Sequence, residues 1–290
     1  MGTGELIYSY KEIEELLLDS NLSPDNLKYL AKEVSINSWS PYSQFPVGAV
    51  VVGIDQNKKL KTFSGTNVEP TVFSSVCAER VAIFSGITAG YKKFIGGAVS
   101  CPNELQKPES ELEINKLVPC GACREVILQK FVPKSIIAID GISRTFTPKD
   151  LLPKPILDPN KLRNITIEEM DTLDSARNAL HNSHTPYSKE KYGVGILIDG
   201  TRDIFNACTV DSNSFGCSVE PLKATFGACF AKHGSKCKIK AIAFAFPFVK
   251  YPSGDVLQLI SDYCDPKAKI IIDNMGVTTI EELLPWPFKL

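Results

Sequence analysis

Hydrophobic residues fall at helical and at alternating spacings in successive stretches of the chain. Pro24 opens a stretch in which Leu27, Leu30, Ala31 and Val34 share one helical face, which predicts an amphipathic helix. Residues 47–54 are rich in β-branched side chains and run into Asp55-Gln56-Asn57. That predicts a strand and a hairpin, with the return strand from Lys59 to Gly65. Cys77 to Ile87 reads as a helix with Ala78, Val81, Ala82 and Phe84 turned inward or half-inward, and Phe94 to Ser100 as a strand. Gly121 to Phe131 predicts a second helix stopped by Pro133, and Ser135 to Ile139 a strand closed by Asp140-Gly141. An additional amphipathic helix is expected over Tyr10 to Leu18, with Ile13, Leu16 and Leu17 on its apolar side. Strands alternating with helices predict an α/β sandwich.

The pattern then repeats. Pro41-Tyr42-Ser43 returns as Pro186-Tyr187-Ser188, and Leu151-Leu152-Pro153 as Leu283-Leu284-Pro285. Between them, Val47-Gly48 before Ala49-Val50-Val51 matches Val194-Gly195 before Ile196-Leu197-Ile198. Three blocks in one order predict two copies of one domain, residues 1–155 and 156–290. The junction is expected near Lys154-Pro155-Ile156-Leu157-Asp158-Pro159, which has two prolines and no periodicity.

Composition narrows the classes. Net charge is −1 over 290 residues, which argues against a nucleic-acid partner. No apolar run is long enough to span a membrane, so no membrane partner is expected. Met1-Gly2-Thr3-Gly4-Glu5 lacks the layout of a secretory leader, and Leu6 stands where myristoylation needs Ser or Thr. A cytoplasmic location follows as an expectation, and with it nine reduced cysteines, an odd number at irregular spacing.

The chemistry concentrates in Cys77-Ala78-Glu79 and, about forty residues later, Pro119-Cys120-Gly121-Ala122-Cys123. Both groups sit at expected helix starts, where free amides stabilise thiolates. Cys77, Cys120 and Cys123 would supply three ligands to Zn²⁺ and leave a fourth position open, the layout of a catalytic rather than a structural site. Glu79 then serves as a proton carrier. Three thiolates exceed the ion's charge by one, and Arg80 is the cation expected to hydrogen-bond to the sulfurs. Set against these readings are a structural zinc or buried free thiols, a helix N-terminal charge at Glu79 and a surface arginine at Arg80.

At these residues the first half resembles the cytidine deaminases of free nucleosides. The resemblance extends through Ser43-Gln44-Phe45-Pro46-Val47-Gly48-Ala49, Asn67-Val68-Glu69, Cys77-Ala78-Glu79-Arg80, Pro119 to Arg124 and Leu151-Leu152-Pro153. It implies a three-layer α/β/α sandwich, here as a tandem duplicate, and zinc-dependent deamination of cytidine and 2′-deoxycytidine in pyrimidine salvage. By position it implies that Asn67 and Glu69 grip the sugar hydroxyls, that Phe45 and Val47 wall the pocket, and that Ala78 offers backbone groups to the base. Arg80 resembles the arginine that bonds to the thiolates in all-cysteine members. The loop from Asn67 to Cys77 is one residue short for that type, which leaves the role of Phe73 open.

In the second half Pro252-Ser253-Gly254-Asp255-Val256 stands where the first has its Cys-x-x-Cys, and Ser218-Val219-Glu220-Pro221 falls near the Cys-Ala-Glu region. A shift of one residue puts Glu220 beneath Glu79, with no Cys or His beneath Cys77. Cys208, Cys217, Cys229, Cys237 and Cys264 form no recognisable ligand set and read as small buried thiols. One zinc per chain is therefore expected, in the first copy. The family places an aromatic from a neighbouring domain just after Leu-Leu-Pro. Ile156 holds that position in the first half and Phe288 in the second, so Phe288 is expected to reach the first domain's pocket, in its own or a partner chain, and cover the base, unless it merely anchors the C-terminus beside Trp286. Duplicated members form homodimers that imitate a tetramer of single domains, and the same is expected here. Two rival readings remain: deamination of a nucleotide, polynucleotide or aminonucleoside antibiotic, and a catalytically idle zinc-binding partner protein.

Overall fold

A computed structural model describes residues 8–70, 75–107, 112–214 and 217–289. Phe73 lies outside the described residues. The chain divides into two compact units, Met1–Pro153 together with Trp286–Leu290, and Lys154–Pro285. The last five residues, expected with the second copy, thus group with the first.

The first unit runs α1 (Tyr10–Asp19), α2 (Pro24–Ser35), β1 (Gly48–Ile54), β2 (Leu60–Thr66), α3 (Ala78–Thr88) and β3 (Lys93–Ser100). It continues with α4 (Ile114–Leu117), α5 (Gly121–Lys130), β4 (Phe131–Ile139), β5 (Thr145–Phe146) and α6 (Pro148–Leu151). The sheet order is β2-β1-β3-β4-β5, with β3 and β4 parallel and the other pairs antiparallel. Alternate residues of each strand face opposite layers. Val50, Val52, Ala98 and Ala138 pack with Ile13, Leu17, Leu27 and Ala31 of α1 and α2. Ala49, Val51, Val99 and Ile137 pack with Ala78, Ala82 and Ile83 of α3 and Ile127 of α5. The unit is a three-layer α/β/α sandwich.

The register explains where the candidate residues meet. Gly48 pairs with Thr66 on one side and Ser100 on the other, so β2 and β3 end at the same edge of the sheet. The segments leaving that edge lead to Cys77 at the start of α3 and Cys120 at the start of α5.

Several expectations need correction. In α2 the buried row is Leu27, Ala31 and Ser35, and Leu30 is exposed. In α3 the buried set is Ala78, Glu79, Ala82, Ile83 and Gly86. Turning Glu79 inward rotates Phe84 out to solvent, and Ile83 takes its place in the core. Pro133 does not stop a helix. α5 ends at Lys130 and Pro133 lies within β4, where the pairing with β3 jumps from Phe94↔Phe131 to Gly96↔Ile136. The irregular stretch needs no ladder donor from the proline.

The second unit contains α7 (Ile167–His181), β6 (Gly193–Ile198), β7 (Ile204–Cys208), α8 (Pro221–His233), β8 (Ile239–Ala245), α9 (Gly254–Tyr263), β9 (Lys269–Ile272), β10 (Gly276–Thr278) and α10 (Ile280–Leu283). Its sheet order is β10-β9-β8-β6-β7, with β8 and β9 parallel. Leu173 and Ala176 of α7 pack on Leu197, Ala241, Ala243 and Ile271.

Structure moves one part of the internal alignment. A Cβ on Gly48 would lie 1.9 Å from the Ala31 carbonyl oxygen, and a Cβ on Gly193 would lie 2.0 Å from that of Ala176. Gly48 therefore corresponds to Gly193, and the match of Val47-Gly48 to Val194-Gly195 is two residues out. Both positions exist to let a strand approach a helix backbone. Gly48→Ala should lower the stability of the first unit by about 2 kcal/mol or more. Gly227→Ala, in α8 with open space around the added carbon, should raise that of the second by about 0.5–1 kcal/mol. Chemical denaturation of the two variants checks both signs.

Candidate metal centre and cavity

Cys77 and Cys120 are the N-cap residues of α3 and α5, and neither thiol caps its own helix. Both sulfurs are left to face each other at the positive ends of two helices, where anions are favoured. Cys77 Sγ lies 3.8 Å from Cys120 Sγ, and Cys120 Sγ lies 3.6 Å from Cys123 Sγ. All three sulfurs fall within 4.8 Å of one another. A tetrahedral ion with Zn–S bonds of about 2.3 Å would separate its sulfurs by about 3.8 Å. The donor set therefore fits zinc in size and in chemistry. Among the described residues these three cysteines are the one such group found.

Charge around the trio is arranged for anions. Arg80 Nη2 donates to Cys77 Sγ at 3.3 Å. Hydrogen bonds from Cys120 and Cys123 pull the Cys77 thiol well below its ordinary value, whereas the bonds to Cys120 and Cys77 push Cys123 up. Burial opposes the charge on Arg80, but the Cys77 thiolate more than offsets it and holds the guanidinium above its ordinary value. Arg124, directly after Cys123, is wholly buried. It donates to the carbonyls of Pro119 at 2.7 Å, Leu151 at 2.9 Å and Trp286 at 2.5 Å. Burial pulls its pKa down to about 10. The sequence offered one signal for Arg124, its place beside a ligand, and the reading of the motif passed over it.

The trio borders a cavity of about 180 Å³. Its lining includes Phe45, Val47, Asn67, Glu69, Cys77, Ala78, Glu79, Cys120 and Phe288, all expected at the site from sequence, Ser43, which stood in a motif without a role, and Cys101, Leu117 and Val118, which were not expected. Cys123 lies fully buried behind it. Glu79 is buried, and burial followed by the Cys77 charge raises its carboxyl to about 7. Such a group holds a proton near neutral pH and can also give it up. The Phe288 ring meets Phe45 edge-on, with centroids 5.8 Å apart.

Asn67 and Glu69 carry a scaffold role that the sequence reading omitted. Asn67 Oδ1 accepts from Val47 N at 2.8 Å and Ser38 Oγ at 2.6 Å, and its amide donates to the Phe45 carbonyl at 2.9 Å. Glu69 accepts from Tyr42 N, Ser43 N and Ser43 Oγ. Burial weighs against its ionisation, but the bonds from Ser43 and Tyr42 outweigh burial and hold the carboxyl below the ordinary range. The second unit repeats this network. Asp211 accepts from Tyr187 N, Ser188 N and Ser188 Oγ, and Thr209 Oγ1 accepts from Tyr192 N. These bonds shape the loop before the first strand in both copies.

The equivalent of the metal centre is chemically different in the second unit. The N-cap of α8 is Glu220, in the place of Cys77, and its carboxylate accepts from Leu222 N and Lys223 N. Glu220 thus aligns with Cys77 rather than Glu79, whose counterpart is Leu222. The N-cap of α9 is Ser253, in the place of Cys120. Tyr192, at the position of Val47, donates its hydroxyl to Glu220 at 2.6 Å and stacks on Phe246 at 5.4 Å. A tyrosine and a carboxylate occupy the ground where the first unit has a cavity and a thiol. Cys229 and Cys237 sulfurs lie 3.3 Å apart elsewhere in this unit.

No helix among the described residues is long and apolar enough to cross a membrane. The cytidine and deoxycytidylate deaminase zinc-binding region matches residues 24–139, and a second description of that region matches residues 141–245. A cytidine deaminase of Mycoplasma genitalium is 32% identical over 108 residues, covering 36% of this chain and 72% of its own. One from Vibrio cholerae is 23% identical over 251 residues, covering 81% of this chain and 78% of its own. One from Sporosarcina psychrophila is 33% identical over 100 residues, 34% of this chain, and the chain spans 63% of that relative's length. With the zinc-binding region present twice and a cysteine trio of the right size in the first copy, the chain belongs to the cytidine and deoxycytidylate deaminase family, in a tandem form.

Proposed function

We propose that the protein deaminates cytidine and 2′-deoxycytidine to uridine and 2′-deoxyuridine with release of ammonia, as a step of pyrimidine salvage. The observation that carries this reading is a buried Glu79 on the wall of a cavity lined by Cys77 and Cys120, two of three zinc-spaced sulfurs, with the third, Cys123, buried behind them. A zinc ion held by Cys77, Cys120 and Cys123 would supply Lewis acidity at an open fourth position, making water a nucleophile near neutral pH. Glu79 is placed to take a proton from the attacking water as its oxygen bonds to C4 of cytosine and to pass that proton to N3, and then to carry the remaining hydroxyl proton to the amino group as the C4–N bond breaks and ammonia leaves. Arg80 neutralises the surplus thiolate charge through its bond to Cys77. Phe45, Val47 and Phe288 enclose the base, and Ala78 meets it with backbone groups at the head of α3. Asn67 and Glu69 face the sugar hydroxyls, and each also holds the loop that carries Phe45 and Val47.

A free nucleoside fits better than a polynucleotide. The Glu69 carboxylate lines the cavity and would repel a phosphate linked at the sugar, and the chain has no basic excess. The reading also places one zinc per chain, since Glu220 and Ser253 stand where the second unit would need thiolates. Duplication supports a homodimer that imitates a tetramer of single domains, in the cytoplasm.

Glu79→Gln should lower turnover of cytidine by about 10²–10⁴-fold and keep its zinc, because the proton carrier is lost and the ligands are not. Ordinary turnover by that variant would refute the assignment. A panel of cytidine, 2′-deoxycytidine, dCMP and a short oligonucleotide should show activity concentrated on the two nucleosides. Metal analysis should return one zinc per chain and almost none in Cys120→Ser. Two zinc ions per chain would contradict the account of the second unit.

A further inference from the structure

Arg124 joins three parts of the first unit that the sequence keeps far apart. Its Nε holds the carbonyl of Pro119, the residue before Cys120. Its Nη1 holds the carbonyl of Leu151 at the end of α6, and its Nη2 holds that of Trp286, two residues before Phe288. The side chain is wholly buried, and its bonds to Pro119 and Leu151 form away from competing water, while that to Trp286 is partly buried. A planar guanidinium can direct donors to three carbonyls at once, which a lysine ammonium on a flexible stem cannot do as well.

The segment it holds needs holding. Trp286 has φ of 48°, in the left-handed region that a bulky side chain rarely adopts. Such a conformation persists where its surroundings over-determine it. Here the Trp286 ring meets Phe146 edge-on at 6.0 Å, and the Arg144 guanidinium lies over both rings, 4.8 Å and 4.4 Å from their centroids. Three residues further, Lys289 N donates to the Asn115 carbonyl at 3.1 Å, in α4. Between those two anchors Phe288 turns its ring to Phe45 and lines the cavity.

We propose that Arg124 is a positioning residue: it fixes the closing segment Trp286–Lys289 to the turn that carries Cys120, so that the Phe288 wall and the metal centre keep one geometry. The benefit to substrate rests on the reading of the cavity as a nucleoside pocket, whereas the fixing of the segment does not. Arg124 touches no substrate in this role. It acts through Phe288, and its loss should weaken substrate binding more than the chemical step.

Trp39 and Trp286 are the chain's two tryptophans, so Trp39→Phe leaves Trp286 as a single reporter of the segment. In that background Arg124→Gln should shift the Trp286 emission to the red and raise acrylamide quenching about twofold. Zinc content should be unchanged, and Arg124→Lys should recover part of the shift. KM for cytidine should rise roughly tenfold, the order expected for a lost base–aromatic contact, with a smaller change in kcat. Deleting residues 286–290 should raise KM as much, and adding Arg124→Gln to the deletion should raise it no further. Unchanged Trp286 fluorescence in folded Arg124→Gln overturns the proposal whatever the protein's substrate. A fluorescence shift with unaltered KM, or a deletion with unaltered KM, overturns the positioning role. The deletion keeps Arg124 and so decides the matter even if Arg124→Gln does not fold. A protein that turns over no cytosine compound, yet shows the fluorescence response, sinks the functional reading and supports the fixing of the segment.

Discussion

Three thiolates within 4.8 Å of one another would be an unstable arrangement unless something positive lay among or beside them. Thiolates repel, and a buried cluster of them costs free energy that a bound cation restores. The first unit answers this in three ways at once. Cys77 and Cys120 sit at the N-termini of two helices, Arg80 donates to one of the sulfurs, and the sulfur spacing is that of a tetrahedral zinc site. The rest of the unit can be seen as what brings those elements together. β2 and β3 end level with Gly48, and the two helices headed by Cys77 and Cys120 therefore start at one edge of the sheet.

The second unit shows what remains when that demand is lifted. Its strands keep the same order of pairing, and its loop before β6 keeps the carboxylate network of Asp211. The ligand positions, however, have reverted to ordinary helix chemistry. Glu220 caps α8 through its carboxylate, a role Cys77 does not take in α3, and Tyr192 closes on it. Fold and site are thus separable: the network that shapes the loop persists in both copies, while the sulfur cluster belongs to one.

Much of this was legible in the chain. Strand positions followed from β-branched runs, because alternate residues of a sheet buried on both faces must all be apolar. The meeting of Cys77, Cys120 and Cys123 was to be expected from Cys-Ala-Glu and Cys-x-x-Cys at two helix starts. What escaped were features set by tertiary contact. Helical spacing alone could not tell that Glu79 would turn inward and send Phe84 to solvent. Nor could it show that Pro133 would sit in an irregular strand rather than stop a helix. The two-residue slip between copies arose because Val-Gly recurs at Val194-Gly195, whereas the glycine that matters is the one beneath a helix carbonyl, Gly193. Arg124 stood in a motif, but its role was hidden for a similar reason. Its partners at Leu151 and Trp286 are 27 and 162 residues away.

The central claim is that three thiolates hold one ion and leave it a place for solvent. X-ray absorption at the zinc edge of the purified protein tests it most directly. The account predicts three sulfur neighbours at about 2.3 Å and one lighter neighbour at about 2.0 Å. Four protein donors closing the sphere, or a protein that binds no zinc when zinc is supplied, would contradict it.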